Sequence, residues 1–143
     1  VLSPLGLRRR AAGRWARTHR LDSAQLADFL QLARQSFVQL QAAWDRADLE
    51  ALRSLTTEPL LAELRDQLDE RGTGPNRTEV VSLDARLLDL EELHEAFVAS
   101  VEFSGLIRER LDDAAAPFRE LWLLANLKAS GRGWQLARVQ SLF

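Results

Sequence analysis

The sequence predicts an α+β domain in which helices come first and a bent antiparallel sheet then wraps around one of them. Apolar residues recur every three or four positions as far as Leu68, the period of a helix with one buried face. From Glu79 the period changes to two, the signature of half-buried strands. Turn signals divide this second part into four strands, the last being Trp134-Gln135-Leu136-Ala137-Arg138-Val139-Gln140. A cupped sheet closed over a helix encloses a pocket, and no residue within it announces a chemistry.

At 143 residues the chain has the length of one domain, since domains most often run to about 100–150 residues. Apolar residues make up 46% and charged residues 28%, the balance of a soluble globular domain rather than of a disordered chain. No apolar run approaches the roughly 20 residues that cross a bilayer, and Val1-Leu2-Ser3-Pro4-Leu5 is too short for the core of a secretory signal. The chain begins at Val1 and contains no Met, so the expectation is a processed or excised piece of a longer protein. The absence of Cys excludes disulfides, thiol nucleophiles and thiolate metal sites.

The net charge of −2 conceals an asymmetry. Residues 1–20 carry six arginines and no acid, +6, whereas the remainder carries 13 basic and 21 acidic residues, −8. The expected division is a basic arm or linker helix over residues 1–20 and one α+β domain over residues 21–143.

In the arm, Leu7, Ala11 and Trp15 fall four apart, with Arg10, Arg14 and Arg17 as a second stripe, so a helix there joins an apolar seam to guanidinium groups. Gly13 weakens that helix by about 1 kcal/mol relative to Ala. Asp22 or Ser23 then caps a strong helix, with Gln25 three residues after Asp22 as in a capping box. Leu26, Phe29, Leu30, Ala33, Phe37, Leu40 and Trp44 form its buried face, and Gln31, Arg34, Gln35, Gln39 and Gln41 its polar one. Asp48 caps a short helix through Leu49, Leu52 and Leu55. Thr56 or Thr57 starts a third, with Pro59 in the first turn, where its missing N–H is tolerated. Leu60, Leu61, Leu64 and Leu68 carry it to the loop Gly72-Thr73-Gly74-Pro75-Asn76.

In the first long strand Val81, Leu83, Ala85 and Leu87 alternate with Ser82, Asp84 and Arg86 until a turn near Glu91-Glu92. In the second, Phe97, Ala99, Val101 and Phe103 alternate with Val98, Ser100, Glu102 and Ser104, and Gly105 predicts a bulge or sharp bend. Asp112-Asp113-Ala114-Ala115-Ala116-Pro117 leads to a third strand over residues 118–128. Leu121, Trp122, Leu123 and Leu124 make it apolar on both sides, which predicts a central strand buried on both faces. Ser130-Gly131-Arg132-Gly133 forms the last hairpin turn.

Three stretches together resemble the Tim-44-like domain family. The first is Phe37-Val38-Gln39-Leu40-Gln41-Ala42-Ala43-Trp44-Asp45, followed by Asp48-Leu49 and Leu55-Thr56-Thr57. The second is Ser100-Val101-Glu102-Phe103-Ser104-Gly105-Leu106-Ile107-Arg108-Glu109. The third joins Phe118-Arg119-Glu120-Leu121-Trp122 to the closing tryptophan strand, in which Arg138 replaces the small residue usual before the final Ile/Val-Gln. That family includes the C-terminal domain of the mitochondrial inner-membrane import subunit, a mitochondrial ribosomal relative and bacterial membrane-associated proteins. The resemblance spans roughly residues 26–140 and implies a nuclear-transport-factor-2-like cone, with N-terminal helices packed on a strongly bent four-stranded antiparallel sheet. It also implies contact with anionic lipid, a role that falls here on Arg8, Arg9, Arg10, Arg14, Trp15 and Arg17.

The arm is the sharpest candidate site. Arginines near an anionic surface contribute about 1 kcal/mol each, Trp favours the interface, and such charges hold a domain to a bilayer without spanning it. The plainer reading is a solvated linker that marks the cytoplasmic side of an upstream anchor. A nucleic-acid reading uses the same arginines with an interleaved aromatic, but the acidic body repels a polyanion. The second candidate is an apolar pocket drawn from Phe97, Val101, Phe103, Trp122, Leu124 and Trp134, with simple core as its alternative. A buried Trp needs a partner for its N–H, so Trp122 or Trp134 marks a polar or open end.

Acid–base catalysis would draw on the strand carboxylates Asp84, Glu102 and Glu120. Each falls on the polar side of its strand or beside an arginine and reads as solvated. There is no Tyr, His19 and His94 are the two histidines, and no phosphate loop, nucleophile elbow or metal-binding spacing is present. The expected function is therefore a non-enzymatic, membrane-associated domain that binds anionic lipid, a partner protein or both in a transport or assembly complex. No catalytic residue, cofactor or metal is expected. The Arg- and Leu-rich, Lys-poor composition points to a bacterial rather than a mitochondrial protein, and the resemblance then implies the bacterial inner membrane, reached through an upstream segment, with homo-oligomerisation left open. The alternatives are a small-molecule isomerase or dehydratase on the same fold and an RNA- or ribosome-binding module.

Overall fold

Asp22 opens the first helix, α1 (Ser23–Asp45), with a full capping box. The Gln25 N–H donates to Asp22 Oδ1 at 2.8 Å, and the Asp22 N–H donates to Gln25 Oε1 at 3.1 Å. The computed structural model describes residues 17–18, 20–72, 77–110 and 112–142. Ala33, Phe37, Leu40 and Trp44 of α1 are buried on one helical face as their spacing predicts, with Ala43 beside them, whereas Leu26, Phe29 and Leu30 at the start of that face are half-buried. Gln41, predicted to be polar and outward, is buried too. Its Nε2 donates to Thr78 Oγ1 and to Asp45 Oδ1, both at 3.3 Å, which lowers the cost of removing that end of the amide from water.

Asp48 caps α2 (Leu49–Leu55), accepting from the Ala51 N–H at 3.1 Å. Next comes α3 (Glu58–Arg71), with Pro59 in its first turn, ending at Gly72, whose φ of 81° suits a residue without Cβ. Leu60, Leu61, Leu64 and Leu68 are its buried face.

Four long strands follow: β2 (Glu79–Glu92), β3 (Ala96–Arg108), β4 (Ala116–Leu127) and β5 (Trp134–Ser141), with a two-residue β1 (Arg17–Thr18) outside β2. Their order is β1-β2-β3-β4-β5, every pairing is antiparallel, and the sheet does not close on itself. The chain between α2 and α3 covers part of the β5 edge. The Thr57 N–H donates to the Leu136 carbonyl at 3.0 Å, and Gln135 Nε2 donates to the Thr56 carbonyl at 3.2 Å.

Strand details depart from the sequence reading in four places. The β2 strand continues through Glu91 and Glu92, predicted as a turn, because they pair with Val98 and Phe97 on one side and with Thr18 and Arg17 on the other. Register shifts between Val80 and Ser82 and between Leu87 and Asp89 put Val81 and Leu88 in bulges. Val81, predicted to point inward, is therefore 44% exposed. The bulge or bend predicted at Gly105 falls on the partner strand instead, at Val81 beside the Ser82–Leu106 pair, and Gly105 (φ 154°), opposite Leu83, accommodates the close approach of Ser82. Finally, β4 is an interior strand next to the β5 edge and is buried on its inner face, but Leu121 and Leu123 on its outer face are only half-buried.

The core fills the space between helices and inner sheet face. Phe37, Leu40, Leu52, Leu60 and Leu64 meet Val101, Phe103, Trp122, Leu124, Leu136 and Val139 there.

Candidate functional site

Phe37 projects from the middle of α1 onto the inner face of the sheet and is completely buried. Its ring centroid lies 4.9 Å from Phe103, 5.5 Å from Phe118 and 4.8 Å from Trp122, and Phe103 meets Trp122 edge-on at 5.0 Å. These are separations of favourable aromatic pairs. Of the six residues expected to line a pocket, Val101, Phe103, Trp122 and Leu124 thus belong to the buried core around Phe37. Phe97 and Trp134 are half-buried toward the end of the sheet where β1 joins, each opposite Asn126 in the strand register. Trp134 meets Phe29 edge-on at 5.3 Å, and Lys128 Nζ lies 5.0 Å over the Phe97 ring while also pairing with Glu92.

The inner face also holds a carboxylate that the sequence reading placed in solvent. Glu120 lies between Phe118 and Trp122 on β4, opposite Phe103 on β3 and Ser141 on β5, and is 4% exposed. Trp122 Nε1 donates to Glu120 Oε1 at 2.9 Å, which supplies the partner that a buried indole N–H requires. Burial pushes the Glu120 carboxyl up to about 7, the Trp122 hydrogen bond opposes that rise, and the negative charge of Glu109 adds to it.

The solvated reading of Glu120 is therefore corrected. Its neighbour Arg119 suggested a polar surface, but consecutive strand residues point to opposite faces. Strand parity was the available signal, since Glu120 belongs to the same alternate series as Phe118, Trp122 and Leu124.

Of the other two strand carboxylates, Asp84 lies in solvent as expected, whereas Glu102, on the same outer face, is largely covered, its side chain 14% exposed. Glu102 accepts from Arg119 Nη2 at 3.1 Å and from Arg86 Nη2 at 3.4 Å. The Arg119 hydrogen bond, with the charges of Arg119 and Arg86, holds its carboxyl below the usual range despite some desolvation. Arg138, opposite Leu123 in the register, lies away from the inner face.

Of the arm, Arg8, Arg9, Arg10, Arg14 and Trp15 lie outside the described residues. Arg17 is in β1, paired with Glu92, so at this point the chain is a strand and not the helix its spacing predicts. Among the described residues, no helix is long and apolar enough to cross a membrane, and no three of His, Asp and Glu are gathered as a metal would require.

Three helices packed on an open antiparallel sheet, with aromatic residues filling the interior, define an α+β domain of the nuclear-transport-factor-2-like class. More particularly, residues 16–141 match the Tim44-like domain family, and the chain belongs to that family. Among curated proteins the chain finds no match. Membership supports, at the level of the family, a membrane-associated or protein-transport-related function, in a family that is generally non-enzymatic.

Proposed function

We propose that this is a non-enzymatic binding domain, held at a membrane by anionic lipid, where it engages a partner protein of a transport or assembly complex. The observation that carries the reading is the family match over residues 16–141, joined to the division of charge between residues 1–20, +6, and the rest, −8. Arg8, Arg9, Arg10, Arg14 and Arg17 would supply the attraction, about 1 kcal/mol each near an anionic surface, and Trp15 the interfacial anchor. The same surface repels the acidic body, so the arm also orients the domain. Phe97 and Trp134, half-buried at the end of the sheet where β1 joins, are the residues through which an apolar group would reach the interior. A segment upstream of Val1 would complete attachment to a bacterial inner membrane.

Co-sedimentation of the whole chain with vesicles tests this. Binding is expected to cardiolipin-containing vesicles and not to neutral ones, to weaken with salt, and to vanish when Arg8, Arg9, Arg10 and Arg14 are changed to Glu. Equal binding to neutral vesicles, or binding that survives charge reversal, would sink the lipid role. Steeply salt-dependent, arm-dependent binding to RNA without vesicle binding would favour the nucleic-acid alternative.

A second reading has Glu120 behind it. A buried carboxyl titrating at about 7 is suited to general acid–base work on a small molecule. Its hydrogen bond to Trp122 and its aromatic neighbours already give it a structural use, which favours the binding domain. A small molecule that raises the melting temperature of the wild type and not of Glu120→Gln would reverse that preference.

A further inference from the structure

At the end of the sheet away from β1, where β2 begins and β3 ends, a cavity of about 220 Å³ is lined by Arg77, Thr78, Glu79, Arg108 and Arg110. We propose that this cavity binds a phosphate group, held by the guanidinium groups of Arg77, Arg108 and Arg110.

Charge is the first argument. Three arginines and one carboxylate make the lining net positive, although the chain outside the arm is net negative. Gathering like charges raises their free energy, and a bound anion reverses the sign of that term. A guanidinium offers a planar fork of donors that matches two phosphate oxygens at once, and phosphate carries enough charge to answer several such groups.

Unused hydrogen-bonding capacity is the second. Arg108 Nη1 lies 3.4 Å from Glu79 Oε2, beyond the roughly 2.7–3.2 Å of a well-formed N–H···O bond. Arg108 Nε is buried and has no acceptor, a costly state for a charged donor. Glu79 therefore leaves this guanidinium incompletely paired. An anion taken by its Nε edge would complete it.

Thr78 makes one wall of the cavity fixed. The Thr78 N–H donates to Asp45 Oδ2 at 2.7 Å, and its hydroxyl donates to Asp45 Oδ1 at 3.1 Å and accepts from Gln41 Nε2 at 3.3 Å. Thr78 has no proton left for an anion, so it is a positioning residue that holds Arg77 and Glu79 against the end of α1. Both Asp45 oxygens engage Thr78. Arg108 is set by its cross-strand pairing with Glu79. At about 220 Å³ the cavity is below the roughly 300–1,000 Å³ of pockets for drug-sized ligands, which suits a small anionic group.

A soluble phosphate compound and the headgroup of an anionic phospholipid share this chemistry. The site lies in the folded body and is independent of the arm. The test is an amide NMR titration of the whole ¹⁵N-labelled chain, once with inorganic phosphate and once with monomeric short-chain phosphatidic acid. The expected result is saturable shifts at Arg77–Glu79 and Arg108–Arg110 with at least one of the two. Both responding marks a general phosphate site, and phosphatidic acid alone marks a headgroup site. Arg77→Gln and Arg110→Gln, both at exposed positions, should each weaken binding by about tenfold, the loss of roughly one charge-assisted hydrogen bond. Arg108→Gln should weaken it at least as much, whereas Arg86→Gln on the outer sheet face should not change it. No saturable shift with either probe, shifts confined to the arm, or unchanged affinity in both Arg77→Gln and Arg110→Gln would overturn the proposal. Charge reversal of the arm would abolish vesicle binding and leave these shifts intact, so the two ideas fail separately.

Discussion

Trp122 Nε1 donates to Glu120 Oε1 across 2.9 Å, and the two side chains share the inner face of β4 at alternate positions. The indole N–H thereby finds an acceptor in an apolar surround. The carboxyl loses most of its water, and its pKa rises from 4.5 to about 7. The folded state therefore holds the Glu120 proton more tightly than the unfolded state does. Its contribution to stability is full below pH 4.5 and is lost as the pH rises through about 7.

Glu120→Gln should remove that dependence while keeping an acceptor for Trp122. At about pH 8 the variant should be more stable than the wild type by up to about 3 kcal/mol, with the gap closing at about pH 4. Urea unfolding across this range measures it. Parallel pH profiles for the two proteins would show that Glu120 titrates normally.

Phe37→Ala should destabilise by about 3–5 kcal/mol, because the ring fills the space between Phe103, Phe118 and Trp122 and its loss leaves a cavity. Phe37→Leu, which refills part of that volume, should cost less. Denaturant unfolding gives both values, and the near-ultraviolet circular dichroism of Trp122 should change in step. A loss below about 1 kcal/mol for Phe37→Ala would mean that the interior is already loosely packed there.

Gly105→Ala should be destabilising although it adds a single methyl group. A Cβ at this position would stand 2.1 Å from the Ser82 carbonyl oxygen and 2.7 Å from its carbon, both backbone atoms held in the β2–β3 ladder. With the φ of 154° disfavoured for any L side chain, the expected cost is about 1–3 kcal/mol, more than the roughly 0.4–1 kcal/mol gained from a stiffer unfolded chain. A melting temperature equal to that of the wild type would show that β2 moves aside freely.

The elements that were legible in the sequence are those set by near neighbours along the chain. The α1 face from Ala33 to Trp44 follows from spacings of three and four, and the Asp22–Gln25 box from one spacing of three. The common inner face of Val101, Phe103, Trp122 and Leu124 follows from alternation once β3 and β4 are paired. Alternation was enough to place Glu120 inside as well. Its neighbour Arg119 points to the opposite face and carries no information about which side Glu120 takes.

The order of the three helices and four long strands, the apolar helix faces, the strand alternation and the Tim44-like pattern that the closing tryptophan strand completes were thus determined by the sequence alone, because each is a local periodicity of apolar side chains. Cross-strand register decided the rest. It put Val81 and Leu88 in bulges and brought Ser82 against Gly105. It also set Glu79 opposite Arg108, and only the folded chain gathers Arg77, Arg108 and Arg110 around one cavity. No local pattern encodes such meetings, since they depend on which distant backbone groups pair to satisfy their hydrogen bonds.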